Sequence, residues 1–268
     1  MKNLLIITGI LFSVFSSSAV MAKEGFPGRA EYPEIPVYTK AELAKNFNNV
    51  VIVDARSSLE FDTLRIEGAV NISVADKKNF AKKVKDLAKQ TNKKIAFYCN
   101  GRSCYKSYKA AKEAIKAGVK NVVAYDAGVF EWAQAYPEHA TLLGQTPIDP
   151  SKIISKTKLK SRFVDPKTFT ETVRSTPRKQ VMVMDVRDMY QRAGVGYFPG
   201  MEKWVSLDDE AKLAKYLNKA KAANKTLYIY DEAGKQVRWL QYTLERENIK
   251  DYYFMAKGAK GFYKKIIN

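Results

Sequence analysis

Val50-Val51-Ile52-Val53-Asp54-Ala55-Arg56 and Val181-Met182-Val183-Met184-Asp185-Val186-Arg187 are two apolar runs with the same Asp-x-Arg ending, 131 positions apart. Two further landmarks keep nearly that offset. Leu227-Tyr228-Ile229-Tyr230-Asp231 repeats Ala96-Phe97-Tyr98-Cys99 at 132 positions, and Tyr253 to Gly258 repeats Val123 to Gly128 at 130. A near-constant offset carried by three separate segments indicates a duplication, so both halves must adopt one fold. At 268 residues the chain is long enough for two domains of about 100 to 150 residues, each with its own core.

The repeated unit is α/β. Val50–Val53 is a continuous apolar run of the kind buried in a parallel sheet, and Asp54-Ala55-Arg56 follows it. Thr39 is placed to cap a helix running through Glu42 to Phe47. Residues 66–72 read as a turn and a short strand, 78–89 as a lysine-rich amphipathic helix, 94–98 and 122–125 as strands, and the region of Phe130 and Trp132 as a helix. Strands alternating with helices predict a mainly parallel central sheet flanked by helices, twice over. The expected layout is an irregular arm over 23–36, a first domain over 37–145, a linker over 146–160 and a second domain over 161–268.

Both cysteines of the chain lie in Tyr98-Cys99-Asn100-Gly101-Arg102-Ser103-Cys104-Tyr105-Lys106-Ser107, between a strand and a helix that stops near Gly118. In parallel sheets the reactive groups gather beyond the carboxyl ends of the strands, where Cys99 falls. Loop N–H groups and a helix N-terminus favour thiolate over thiol, which makes Cys99 the candidate nucleophile. The alternative, a small buried hydrophobe, fits poorly with Gly, Arg, Ser and Lys as neighbours. Cys104 reads equally as a resolving thiol, a disulfide partner, or a residue of the first helical turn. The second half has Asp231 in place of Cys99 and lacks a thiol.

Met1-Lys2-Asn3, the apolar Leu4 to Val14, and Val20-Met21-Ala22 have the layout of a cleavable export signal over 1–22, and the bacterial character of the leader points to the periplasm. The apolar run is too short to span a bilayer and no later segment is apolar enough, so no stable membrane insertion is expected. A cysteine pair five positions apart closes too small a loop to stabilise a domain of this size, which favours sulfur or redox chemistry over a structural disulfide. The net charge is +18, spread over many helical stretches instead of one arm, which argues against nucleic acid and for small anionic substrates or an acidic partner. His139 is the only histidine, and neither a metal cluster nor a cofactor motif is present in the sequence.

With these landmarks the chain resembles a tandem-domain rhodanese over nearly its whole length beyond the leader. Asp54-Ala55-Arg56-Ser57-Ser58-Leu59-Glu60-Phe61, then Ile66-Glu67-Gly68-Ala69-Val70-Asn71-Ile72, Tyr98-Cys99, and Gly128 with Trp132 carry the resemblance. It implies that Cys99 takes sulfane sulfur from a small anionic donor such as thiosulfate or polysulfide, or from a persulfide, and passes it to cyanide or to a thiol or protein acceptor. Asn100, Gly101, Arg102, Ser103, Cys104 and Lys106 would line the substrate loop. Asp54, Arg56 and Glu60 would support it, with neither cofactor nor metal.

The chain departs from the family at several points. The Ser or Ala usual six positions after the cysteine is Tyr105, and the alanine pair, Ala110-Ala111, comes two residues late, so the loop is longer. The histidine often found before the Ile-x-Gly-Ala segment is Arg65, and the family has no fixed counterpart of Cys104. Familiar tandem members keep the active cysteine in the second domain, whereas this chain keeps it in the first. Two other functions compete: a thiol–disulfide oxidoreductase cycling Cys99 with Cys104, and a non-catalytic rhodanese-like binding protein. A phosphatase loop needs Arg six positions after the cysteine, where Tyr105 stands.

Overall fold

The computed structural model describes residues 25–267 apart from 195 and 208, so the export signal read over 1–22 lies outside the described residues. The chain divides into two compact units. One comprises Gly68–Trp132 with the chain up to Arg56; the other comprises Ser57–Glu67 with Ala133–Asn268.

The strands, in chain order, are β1 Val37–Tyr38, β2 Val50–Asp54, β3 Leu64–Ile66, β4 Val70–Asn71, β5 Lys94–Tyr98, β6 Val122–Tyr125, β7 Ala140–Leu142, β8 Phe163–Val164, β9 Val181–Asp185, β10 Glu202–Trp204, β11 Thr226–Tyr230 and β12 Tyr252–Met255. The first unit holds a five-stranded sheet in the order β1-β6-β5-β2-β4, parallel throughout. Its register sets Asp54 beside Tyr98 and Tyr98 beside Tyr125, so three strands end at one level. Helices Phe80–Lys89 and Lys106–Lys116 place Val84, Tyr108, Ala111 and Ala114 in a core with Val53, Ile95, Phe97 and Ala124. Thr39 caps the helix Lys40–Lys45 in a reciprocal box with Glu42; a 3-10 turn, Phe47–Asn49, follows.

The second unit repeats the plan. Its sheet runs β10-β9-β11-β12-β8, again parallel, which is the first order read from the other edge. The same unit contains an antiparallel ribbon of β3 and β7. The duplication extends to individual bonds. Ala55 N–H donates to Tyr98 O at 3.0 Å, and Val186 N–H to Tyr230 O at 2.9 Å; Ile72 N–H donates to Asp54 O at 3.0 Å, and Val205 N–H to Asp185 O at 2.9 Å. Two parallel sheets of equal order fit a tandem α/β architecture of the rhodanese-like kind.

Two expectations need correction. The segment read as an irregular arm contains a helix, Pro27–Glu31, started by Pro27 at its first turn. It is held because Gly28 lies flat on the Tyr108 ring, where a Cβ would come within 2.3 Å, because Tyr32 stacks on Tyr108 at 5.4 Å, and because Arg29 pairs with the buried Asp126 at 2.8 Å. The predicted linker also has regular structure: a 3-10 turn Pro150–Lys152 and a helix Lys156–Lys160 capped by Ser155. Ile148 and Ile154 are buried, and the Ile154 amide donates to the Tyr242 hydroxyl at 3.0 Å, which ties this stretch to its own unit.

Candidate active site

Asp54 and Arg56 form the base of the site. Both are fully buried, and the guanidinium meets the carboxylate through Nε at 2.8 Å and Nη2 at 2.6 Å, with the Arg56 amide also donating to Asp54 Oδ1. A charge taken out of water needs such a partner, and the fork of arginine matches a carboxylate. The third donor, Nη1, reaches Asn100 Oδ1 at 3.0 Å and so holds the first residue of the cysteine loop. Asn71 donates to the carbonyls of Asp54 and Arg56. Glu60 closes a capping box with Ser57 at the start of the helix Ser58–Thr63.

The loop is closed by glycine contact. Gly128, with φ +78°, brings its backbone so near that a Cβ would lie 2.3 Å from Gly101 N and 2.4 Å from Gly101 Cα. Val129 N–H donates to Cys99 O at 3.0 Å, and Cys104 N–H to Gly101 O at 2.8 Å, which folds residues 101–104 into a tight turn. The helix Lys106–Lys116 begins immediately afterwards.

The two thiols differ in their surroundings. Cys99 is 0% exposed; its thiol donates to the carbonyl of Cys104 at 3.0 Å and lies 3.6 Å from Ser107 Oγ. Burial pushes the Cys99 thiol well up, and its contact with Cys104 adds to that. Cys104 is partly exposed. The neighbouring Cys99, the backbone amides of Lys106 and Asn100, and the nearby Lys106 charge together bring its thiol down to about 6.

Arg102 was expected to bind anions. Its guanidinium instead forms a fork with Glu131, Nη2 to Oε2 at 2.9 Å, and lies over the Phe26 ring at 4.4 Å. Ser103 is exposed on the outer side of the turn and Lys106 is half-buried at the helix start. Sequence reasoning did not single out Glu131 or Ser107. Ser107 was legible: applying the two-residue delay of the alanine pair to the usual serine position leads to it. Glu131 left no such signal. His139 is half-buried and pairs with Glu67 at 3.0 Å. No group of three metal-ligating side chains occurs among the described residues.

The corresponding loop of the second unit is filled by its own side chain. Asp231 accepts backbone N–H groups from Ala233 at 3.0 Å and Val237 at 3.2 Å, and from Gly234 and Gln236 as well. Gly258 closes this loop as Gly128 closes the other, and Ala259 N–H donates to Asp231 O at 2.8 Å.

A strand-end cysteine, a glycine-closed loop and a buried Asp-x-Arg pair are found together in one segment of the chain. Residues 39–135 match the rhodanese-like domain family. A tRNA uridine(34) hydroxylase of Cytophaga hutchinsonii is 30% identical over 88 residues, covering 33% of this chain; the chain spans 28% of the length of that relative. Among solved structures, thiosulfate sulfurtransferase from Pseudomonas aeruginosa is 18% identical, covering 91% of this chain and 47% of that one, with a TM-score of 0.38. A single-domain sulfurtransferase of Saccharomyces cerevisiae is 19% identical, covering 38% and 90%, with a TM-score of 0.32. The matched segment contains both cysteines and the loop described above.

Proposed function

We propose that the protein is an exported sulfurtransferase that moves sulfane sulfur from a small anionic donor to a thiol or cyanide acceptor through a cysteine persulfide in the 99–107 loop. The observation that carries this reading is a partly exposed thiol, inside a rhodanese-like domain, whose sulfur faces two backbone amides and a helix start. Such a setting favours thiolate and persulfide over their protonated forms, and it supplies the nucleophile that sulfur transfer needs. Thiosulfate, polysulfide and protein persulfides are the donor classes that fit a basic protein, since a positive field gathers small anions. Export to the periplasm rests on the leader-like composition of residues 1–22. The Asp231 loop contributes no thiol, and the second unit acts as a non-transferring partner domain.

Intact mass spectrometry tests this directly. After incubation with thiosulfate the protein should gain one sulfur atom, and cyanide should remove it as thiocyanate. Mass unchanged after thiosulfate and polysulfide would remove the sulfurtransferase reading. One contact supports a second reading: the Cys99 thiol donates to the backbone carbonyl of Cys104 at 3.0 Å, so the two cysteines are neighbours in space as well as in the loop. A loss of two hydrogens that needs both cysteines, without sulfur gain, would install the thiol–disulfide oxidoreductase instead.

A further inference from the structure

We infer that the second unit holds a binding site of its own, a cleft beside the Asp231 loop that takes a small carboxylate with an apolar tail. The inference stands on this unit alone and goes beyond the sulfurtransferase reading.

The parallel sheet sets the position, since ligands of such sheets sit beyond the carboxyl ends of the strands. The segment after β9 supplies Arg192 and Tyr197, the residue after Asp231 supplies Glu232, and the chain after β12 supplies Phe262, Tyr263, Ile266 and Ile267. Between them lies a cleft of about 590 Å³. Its floor is aromatic, with Tyr197 stacked on the buried Phe262 at 4.5 Å between ring centroids. Its rim is apolar and open. Five large apolar side chains are exposed among the described residues, and two of them, Tyr263 at 51% and Ile267 at 54%, line this cleft. Apolar side chains gathered at the mouth of a cleft mark a ligand site, whereas scattered ones need no explanation.

The charges decide the ligand class. Arg187 is paired with Asp185 at 2.8 Å, and Arg192 with Asp185 and Glu202, both at 3.1 Å. Glu232 has Lys260 at 3.9 Å. Arg174, in the last turn of the helix Pro166–Ser175, also lines the cleft; it is exposed and has no carboxylate partner among the described residues. One uncommitted guanidinium beside an aromatic and aliphatic wall matches one carboxylate on an apolar tail, the fork meeting the carboxylate and the wall removing the tail from water. A bare dianion such as thiosulfate matches poorly. It leaves the wall wet, and the loop amides are already given to the Asp231 carboxylate.

Isothermal titration calorimetry of the protein with decanoate below its micelle concentration tests the site, with decanol and thiosulfate as comparison ligands. Decanoate is expected to bind at a single site, decanol to bind about tenfold more weakly or worse, and thiosulfate to leave bound decanoate in place. Arg174→Gln should lower the affinity for decanoate about tenfold and leave that for decanol unchanged. Ile267→Glu, which sets a carboxylate on the apolar rim, should weaken decanoate at least as much. Both side chains are exposed, so both variants should keep the wild-type circular dichroism. Absence of decanoate binding, equal affinity for decanol, displacement by thiosulfate, or an affinity that either substitution leaves unmoved would overturn the site. Thiosulfate loading followed by mass spectrometry reads sulfur transfer separately, so either result with decanoate leaves that function where it stands.

Discussion

Asp231 accepts the backbone N–H of Ala233 at 3.0 Å, so the loop of the second unit directs its amides to a carboxylate that stands where the first unit has Cys99. Gly234, Gln236 and Val237 direct their amides to the same two oxygens. The loop is a built anion site whose anion is covalently attached. Asp231→Ala leaves those amides without acceptors in a partly buried loop, at a cost of roughly 1–3 kcal/mol, so the urea midpoint should fall. An unchanged midpoint would show that solvent replaces the carboxylate without penalty.

The Asp54–Arg56 pair is buried at both ends, and Asp185–Arg187 repeats it with Nη2 to Oδ2 at 2.8 Å. Arg56→Ala strands a carboxylate and releases Asn100 from the loop. A loss of about 3–5 kcal/mol is expected by chemical denaturation, since removing one partner of a buried pair costs far more than the pair contributes. Sulfur uptake should fall with it.

Gly128 tests the closure of the active loop. Gly128→Ala forces a methyl group onto the backbone of Gly101, which has no room to yield, so sulfur uptake is expected to drop at least tenfold. Gly118 also has positive φ, at +90°, but faces open space. Gly118→Ala should cost only about 1–2 kcal/mol of backbone strain and leave uptake intact.

Arg102 and Glu131 form an ion pair open to solvent, 46% and 32% exposed. Arg102 holds the Glu131 carboxyl below its ordinary range, so the pair's contribution is present above about pH 4.3 and is lost as pH falls through the lowered value. With solvent screening it amounts to about 1 kcal/mol or less. Melting curves of wild type and Glu131→Gln should therefore differ slightly at pH 7 and converge as the pH falls through the lowered value. The same variant frees the guanidinium beside the loop and should lower KM for thiosulfate several-fold with kcat little changed.

Alkylation of Cys104 by iodoacetamide should follow the ionisation of its thiol. The thiolate is present above about pH 6 and protonated below it, so the alkylation rate should rise through that value and level off well below the region near 8.5 where an ordinary cysteine ionises. Stopped assays between pH 5 and 9 give the midpoint; a value near 8.5 would show that the loop amides do not act on this thiol.

Much of this molecule follows from its sequence. The apolar runs ending in Asp54 and Asp185, their constant offset from Cys99 and Asp231, and the glycines at 128 and 258 specify a mainly parallel α/β unit and its duplication, because period, β-propensity and turn chemistry are local, whereas the strand order came from the tertiary structure. The helix at Pro27–Glu31 was not legible, because it is held by Tyr108 and Asp126, some 80 to 100 positions onward, and not by its own propensity. The ionisation of the two cysteines was decided by tertiary structure alone. Sequence places both thiols in one loop, but the direction of the amides depends on how Gly128 presses on Gly101, and burial depends on which sulfur turns inward. Thiol chemistry responds to those two quantities, and neither exists until the loop is packed.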